Sequence, residues 1–220
     1  EDVDSGNKVE ENTINLSEHT TNINISTGGE YNITGEFKNS IIVDSTDKVI
    51  LNLNNVTIDS QITAAIANKN SGDLVINLVE NTTNVLKDNG SSEYDGCIYS
   101  GNLIIEGNGT LKVYGRQEEG EGIATETKDI TINGGDIYIE SADDGLNAGG
   151  DGGIITINNG KVAVIGVVGG DYQAEDLKKA FNDANVNCDS LVVDKSRKTI
   201  TKTRISGSCS HSITQQIVRI

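Results

Sequence analysis

The sequence of 220 residues has no proline, methionine or tryptophan, and aromatic residues make up only 4%. Glycine, asparagine, threonine and isoleucine dominate instead. That is the vocabulary of short strands and tight turns, not of a packed helical domain. Basic residues are scarce: 17 Lys and Arg stand against 33 Asp and Glu, for a formal net charge of −16. The arginines Arg116, Arg197, Arg204 and Arg219 are scattered and make no basic patch. Nucleic acid is therefore disfavoured as a partner, since phosphate binding needs clustered Lys and Arg. No apolar run approaches the length of a membrane span. The chain lacks a leader segment and does not begin with Met, so we read it as the mature form of a secreted, extracellular or cell-surface protein.

Cysteine and histidine are also sparse. The three cysteines form no CxxC or Cys/His spacing that would suggest zinc, and His19 and His211 stand alone. Cys188 and Cys209 flank an expected hairpin and are candidates for a disulfide in an oxidising compartment, whereas Cys97, beside Gly96, reads as a small buried residue. Asn-x-Ser/Thr occurs at Asn15, Asn24, Asn32, Asn55, Asn81, Asn89 and Asn108. In a chain so rich in Asn and Thr, an asparagine turn ladder explains these sites better than glycosylation does.

What the chain does have is an imperfect repeat. Val49-Ile50-Leu51-Asn52-Leu53, Leu74-Val75-Ile76-Asn77-Leu78, Leu103-Ile104-Ile105-Glu106-Gly107, Ile130-Thr131-Ile132-Asn133-Gly134 and Ile155-Thr156-Ile157-Asn158-Asn159 begin 25, 29, 27 and 25 positions apart. A weaker copy, Ile23-Asn24-Ile25, lies 26 positions before Val49. A β-rich period of this size means a stacked solenoid. One unit reads Ile130–Ile132, a turn at Asn133-Gly134-Gly135, Asp136–Glu140, then a corner at Asp143–Asn147. Three strands and three corners per unit give a right-handed parallel β-helix of about six rungs, each adding about 4.8 Å.

Alternation assigns the facing. Val49, Leu51 and Leu53 point inward and stack with Leu74/Ile76/Leu78, Leu103/Ile105, Ile130/Ile132 and Ile155/Ile157. Leu111/Val113, Ile137/Ile139 and Val162/Val164 line a second wall, and Ile66, Ile98, Ile123 and Leu146 a third. Residues 1–12 are a polar arm, 13–170 the β-helix, and 171–220 a small α+β cap over its end. In the cap, Asp171 caps a helix whose apolar face is Ala174, Leu177, Ala180, Phe181 and Ala184. Leu191–Val193 and Thr199–Ile205 are expected to pair as a hairpin, followed by a terminal strand from Ser212 to Ile220.

The third corner repeats an acidic-Gly motif: Asp95-Gly96-Cys97-Ile98, Glu121-Gly122-Ile123 and Asp144-Gly145-Leu146. Stacked rungs would place these carboxylates in a column about 5 Å apart, where they repel. A bound Ca²⁺ bridging two of them would relieve the strain, with Asp143 and Asp151 as further ligands. The alternative is that Gly makes the turn and the acid faces water. These corners (DGCIYS, GEGIATE, DDGLNAG), together with NLIIEGNGTLKVYG and DITINGGDIYIES, resemble a family of bacterial cell-surface carbohydrate-binding domains over about residues 48–170. The resemblance implies a Ca²⁺-stabilised parallel β-helix, pectate-lyase-like in fold, that binds plant or acidic polysaccharides without cleaving them. Asp95, Glu121 and Asp144 match its acidic corner, although Glu121 replaces the usual Asp and Ala64-Ala65 replaces the motif in the earlier rung.

Lyase chemistry needs a basic residue beside the ion that acidifies the sugar. Lys112 and Lys128, the only basic residues near the acidic rungs, show no recurring pairing, so the chain reads as non-enzymatic. For sugar stacking, Tyr138 faces outward beside Lys112, with Tyr99 or Tyr114 expected to join it. Two functions follow. One is a structural subunit that self-assembles into a surface fibre or layer by exchanging terminal strands, with Thr13–Leu16 and Ser212–Ile220 as donors. The other is a Ca²⁺-dependent polysaccharide-binding module. The polar terminus favours the first, which is the leading expectation; the resemblance favours the second, which is the alternative.

Overall fold

The computed structural model describes residues 12–70, 72–126, 128–149, 152–158, 161–200, 204–207 and 215–219. It divides into two compact units, Glu1–Val162 and Ala163–Ile220. The first is a parallel β-solenoid. Its first wall stacks Asn102–Gly107 on Asp73–Leu78 and on Ile130–Ile132, which pairs in turn with Ile155–Ile157. Leu51, Ile76, Ile105, Ile132 and Ile157 lie in one column, as the alternation requires. The second wall pairs Thr110–Tyr114 with Thr83–Asp88 and Asp136–Glu140. The third stacks six strands, ending Ile41–Val43, Ile66–Asn68, Gly96–Ser100, Glu121–Thr125 and Leu146–Ala148. The aliphatic columns from all three walls meet in one core, in which Leu51, Ile76, Ile98, Ile105 and Ile123 are wholly buried. A one-residue slip would turn each column out to water, which fixes the register.

The corners explain the glycines and asparagines. Gly107 has φ +94°, and a Cβ there would lie 2.2 Å from the Leu78 carbonyl oxygen of the rung beneath. Asn55 and Asn81 adopt φ of 53° and 60°, a conformation asparagine tolerates at turns. An amide ladder also forms, on the strands: Asn77 Nδ2 donates to Asn52 Oδ1 (2.8 Å), and Asn52 Nδ2 to Asn32 Oδ1 (2.9 Å).

The N-terminal rungs differ from expectation. The partner of Val49 is Gly29, and Leu53 stacks on Ile33, so the preceding copy of the repeat is Gly29–Phe37. Ile23–Ile25 belongs to the third wall, paired with Ile41–Val43. Two apolar residues in alternation satisfy any wall, and these rungs are shorter, so a constant period misplaced them. The donor candidate Thr13–Leu16 is likewise spent within the chain. Asn12–Asn15 pairs with Tyr31–Thr34, and Leu16 is fully buried. Residues 1–11 of the expected arm lie outside the described residues.

In the second unit, Gly166–Gly169 and Leu191–Asp194 pair in parallel, joined through the helix Tyr172–Asp183. Among the described residues the strand partner of Leu191–Asp194 therefore precedes the helix and is not the expected Thr199–Ile205, of which residues 201–203 lie outside the described residues. Thr199 instead binds the helix cap, its N–H and hydroxyl donating to Asp171 at 2.7 and 2.6 Å. Asp171 also accepts from Ala174 N–H (3.1 Å), as expected of the N-cap. On the expected apolar face only Ala174 is buried, and Leu177 is exposed. Arg204–Gly207 pairs antiparallel with Gln215–Arg219, so the described part of the second donor candidate also finds a partner in its own chain. The side chain of Val162 lies outside the described residues.

Candidate functional sites

The acidic corner is assembled in the solenoid, though not as a column. Register is set by the aliphatic positions: Ile98 and Leu146 both pair with Ile123. One more residue separates acid from aliphatic in Asp95-Gly96-Cys97-Ile98 than in Glu121-Gly122-Ile123. Glu121 therefore pairs with Gly96, and its N–H donates to the Asp95 carbonyl at 2.9 Å. Asp95, Asp143 and Asp144 are exposed, while Glu121 is 7% exposed. Its Oε1 accepts from Asn147 Nδ2, and its buried Oε2 has no hydrogen-bond partner. Burial pushes the Glu121 carboxyl above its ordinary 4.5; the Asn147 amide opposes this, and the charges of Asp95, Asp144 and Asp143 add to it. The four acids thus share one neighbourhood, and their oxygens suit Ca²⁺ chemically. Among the described residues, however, no three acidic, His or Cys side chains converge as a metal site. Asp151 lies outside the described residues.

The second wall carries the outward tyrosines. Its strands present two columns to solvent in register, Thr57–Val85–Lys112–Tyr138 and Asp59–Lys87–Tyr114–Glu140. Tyr138 sits beside Lys112 as expected. Tyr114 joins it, with ring centroids 5.8 Å apart and planes at 54°, an arrangement aromatic pairs favour. Lys87 Nζ lies over the Tyr114 ring, 5.5 Å from its centroid. Tyr138 Oη donates to Glu140 (3.0 Å), and this bond raises the phenol above its usual 10. Lys112 is exposed and makes no ion pair among the described residues.

Tyr99 does not join this group. It stands on the third wall against Tyr94, with centroids 4.9 Å apart, and its hydroxyl donates to Glu126 at 2.7 Å. Burial, followed by that carboxylate, pushes the Tyr99 phenol up. Sequence reasoning missed Lys87 and Tyr94. Lys87 was legible, since it lies one rung before Tyr114; Tyr94 sits in a loop, where periodicity carries no signal. Lys128 is exposed, with its carbonyl accepting from Thr125 Oγ1 (2.7 Å). Cys188 carries a free thiol, 3.5 Å from Asn182 Oδ1, and Cys97 is fully buried; Cys209 lies outside the described residues.

The stacked-rung parallel solenoid has a counterpart of known structure. A solved structure described as a polysaccharide lyase-like protein from C. thermocellum, a gadolinium derivative, superposes on it with a TM-score of 0.53. It is 22% identical, covering 80% of this chain and 88% of that one. At that identity the likeness speaks for the fold alone. No curated protein matches the sequence. The model of the carbohydrate-binding domain-containing family matches residues 19–166, and the chain belongs to that family.

Proposed function

We propose that the chain is a non-catalytic polysaccharide-binding module that takes an acidic glycan on its second wall. The observation that carries this reading is the Tyr114–Tyr138 pair flanked by Lys87 and Lys112 on the outer face of the second wall. The tyrosine faces offer stacking surfaces to the C–H faces of pyranose rings. The two lysines supply cations on a chain of net charge −16, where a uronate would otherwise be repelled. Strands about 4.8 Å apart present these groups in even steps to a polymer lying across the wall. A polysaccharide partner also fits the extracellular setting expected from the sequence.

Binding without cleavage is favoured because a lyase base would have to sit beside the acidic corner. Asp95, Asp144 and Asp143 set negative charge against Glu121 there. Among the described residues the acidic side chains do not converge as a metal site, and glycan binding on the second wall needs none. The fibre reading drew on terminal strands available for exchange, and their described parts pair within the chain. Affinity electrophoresis in gels containing polygalacturonate tests the proposal. Wild-type protein should be retarded, Tyr114→Ala/Tyr138→Ala should bind about tenfold more weakly, or about 1.4 kcal/mol, and no unsaturated product should accumulate. Unchanged retardation of the double variant would refute this placement.

A further inference from the structure

The third wall carries a second outward surface of different character. Its outer column runs Ile42, Ala67, Tyr99 and Ala124 in register. Ala67 and Ala124 beside it are buried, and the Tyr99 ring stays partly exposed. Ile42, Ala64 and Ala67 form an apolar cluster separate from the core, and Tyr94 and Tyr99 pack against it.

Tyr94 comes from the loop between Thr83–Asp88 and Gly96–Ser100, and this loop is fastened from beneath. Asp88 accepts from Gly90 N–H at 2.9 Å and pairs with Arg116 Nη1 at 3.1 Å. The same Arg116 nitrogen lies 3.4 Å from the carbonyl oxygens of Ser91 and Tyr94 and donates to both. The Asp88 side chain is 0% exposed and that of Arg116 14%. A buried ion pair thus sets the position of a partly exposed ring, which lowers the ordering cost of binding against it.

The rim is acidic. Glu126 accepts the Tyr99 hydroxyl, Glu93 and Asp44 act on Tyr94, and Asp95 acts on Tyr99. Lys69, a cation that acts on Tyr94, is bound to Asp44 at 2.8 Å. Such a rim repels a uronate but accepts hydrogen bonds from sugar hydroxyls, while the exposed parts of the two rings receive C–H faces.

We propose that Tyr94 and Tyr99 form a second glycan site, for an uncharged, hydroxyl-rich polysaccharide, and that the module bridges two polysaccharide chains. The two tyrosine pairs lie on different sheets of the solenoid, so a chain on one leaves the other open. Arg116 is a positioning residue for this site. The inference goes beyond the second-wall reading, and either site can fail alone.

Affinity electrophoresis against soluble β-glucan, xylan and mannan, with polygalacturonate in parallel, tests it. Wild type should be retarded by at least one neutral polymer. Tyr94→Ala/Tyr99→Ala should lose that retardation about tenfold and keep its retardation by polygalacturonate; Tyr114→Ala/Tyr138→Ala should do the reverse. Tyr94→Ser, confined to the loop, should weaken neutral binding even if the double variant fails to fold. Arg116→Lys should weaken neutral binding and leave polygalacturonate binding unchanged. Polygalacturonate beads should capture labelled neutral polymer with wild type and with neither double variant. No retardation by any neutral polymer, or its loss in the second-wall variant and not in the third-wall one, would overturn the proposal. Neutral binding without polygalacturonate binding would leave this site standing, remove the bridge and refute the second-wall reading.

Discussion

Glu121→Gln should stabilise this protein in metal-free buffer. The native carboxylate is 7% exposed, its Oε2 has no partner, and Asp95, Asp143 and Asp144 all act against its ionisation. An unsatisfied buried polar group costs about 1–3 kcal/mol. Glutamine keeps an oxygen to accept from Asn147, removes the buried charge, and turns the orphaned position into a donor facing three carboxylates. At about 2–4 °C per kcal/mol for a domain of this size, the melting temperature should rise by several degrees.

The pH dependence gives the sharper check. The folded carboxyl titrates above the unfolded 4.5. Between those two values the folded chain holds a proton that the unfolded chain has lost. Stability therefore falls as pH rises through this window and stays at the lower level above it. Glu121→Gln should abolish that fall. Thermal melts of both proteins by circular dichroism, in chelator and across pH 4 to 8, read both effects. A lower melting temperature for the variant in chelator, or an unchanged pH profile, would refute the reasoning. Repeating the melts with Ca²⁺ reads the ion implied by the family resemblance. If the ion engages Glu121, added Ca²⁺ should stabilise the wild type and reverse the order of the two proteins. If it does not, the variant should keep its advantage.

Arg116→Ala should be among the most damaging single changes at the solenoid surface, because it leaves the Asp88 carboxylate buried and unpaired. The cost should be about 3–5 kcal/mol in a denaturant titration, and Asp88→Asn should recover part of it in the double variant. Gly107→Ala, where a Cβ would lie 2.2 Å from the Leu78 carbonyl oxygen, should disrupt the corner and lower expression of folded protein, as judged by limited proteolysis. Ile76→Ala, in the fully buried first column, should cost about 2–5 kcal/mol without changing glycan retardation. In the second unit, the hydrogen bonds from Thr199 hold the Asp171 carboxyl below its ordinary 3.8. Its contribution should therefore be present at neutral pH and fade as pH falls through that lowered value, and Asp171→Ala should speed amide exchange at the start of the helix.

The sequence disclosed those features that repeat with the backbone. Each first-wall segment from Val49 onward carries several alternating aliphatics, enough to fix both face and register, so the columns through Ile105, Ile132 and Ile157 were readable. Ile23–Ile25 carries only two, and only the pairing of Gly29–Phe37 with Val49–Ser60 shows which wall it serves. The acidic corner was misaligned for a subtler reason. Its acids and glycines look equivalent from rung to rung, whereas the stack aligns Ile98, Ile123 and Leu146, since core-facing aliphatics determine register and the acids follow. Counting back from those three residues would have placed Gly96, not Asp95, beside Glu121. The Tyr94–Tyr99 surface depends on a non-periodic loop held by an arginine 22 positions beyond Tyr94 in the chain. Neither 3.6- nor 2-residue spacing encodes such a contact. In a solenoid the repeat builds the walls, and the departures from it, here a one-residue insertion and an anchored loop, decide what each wall offers to a ligand.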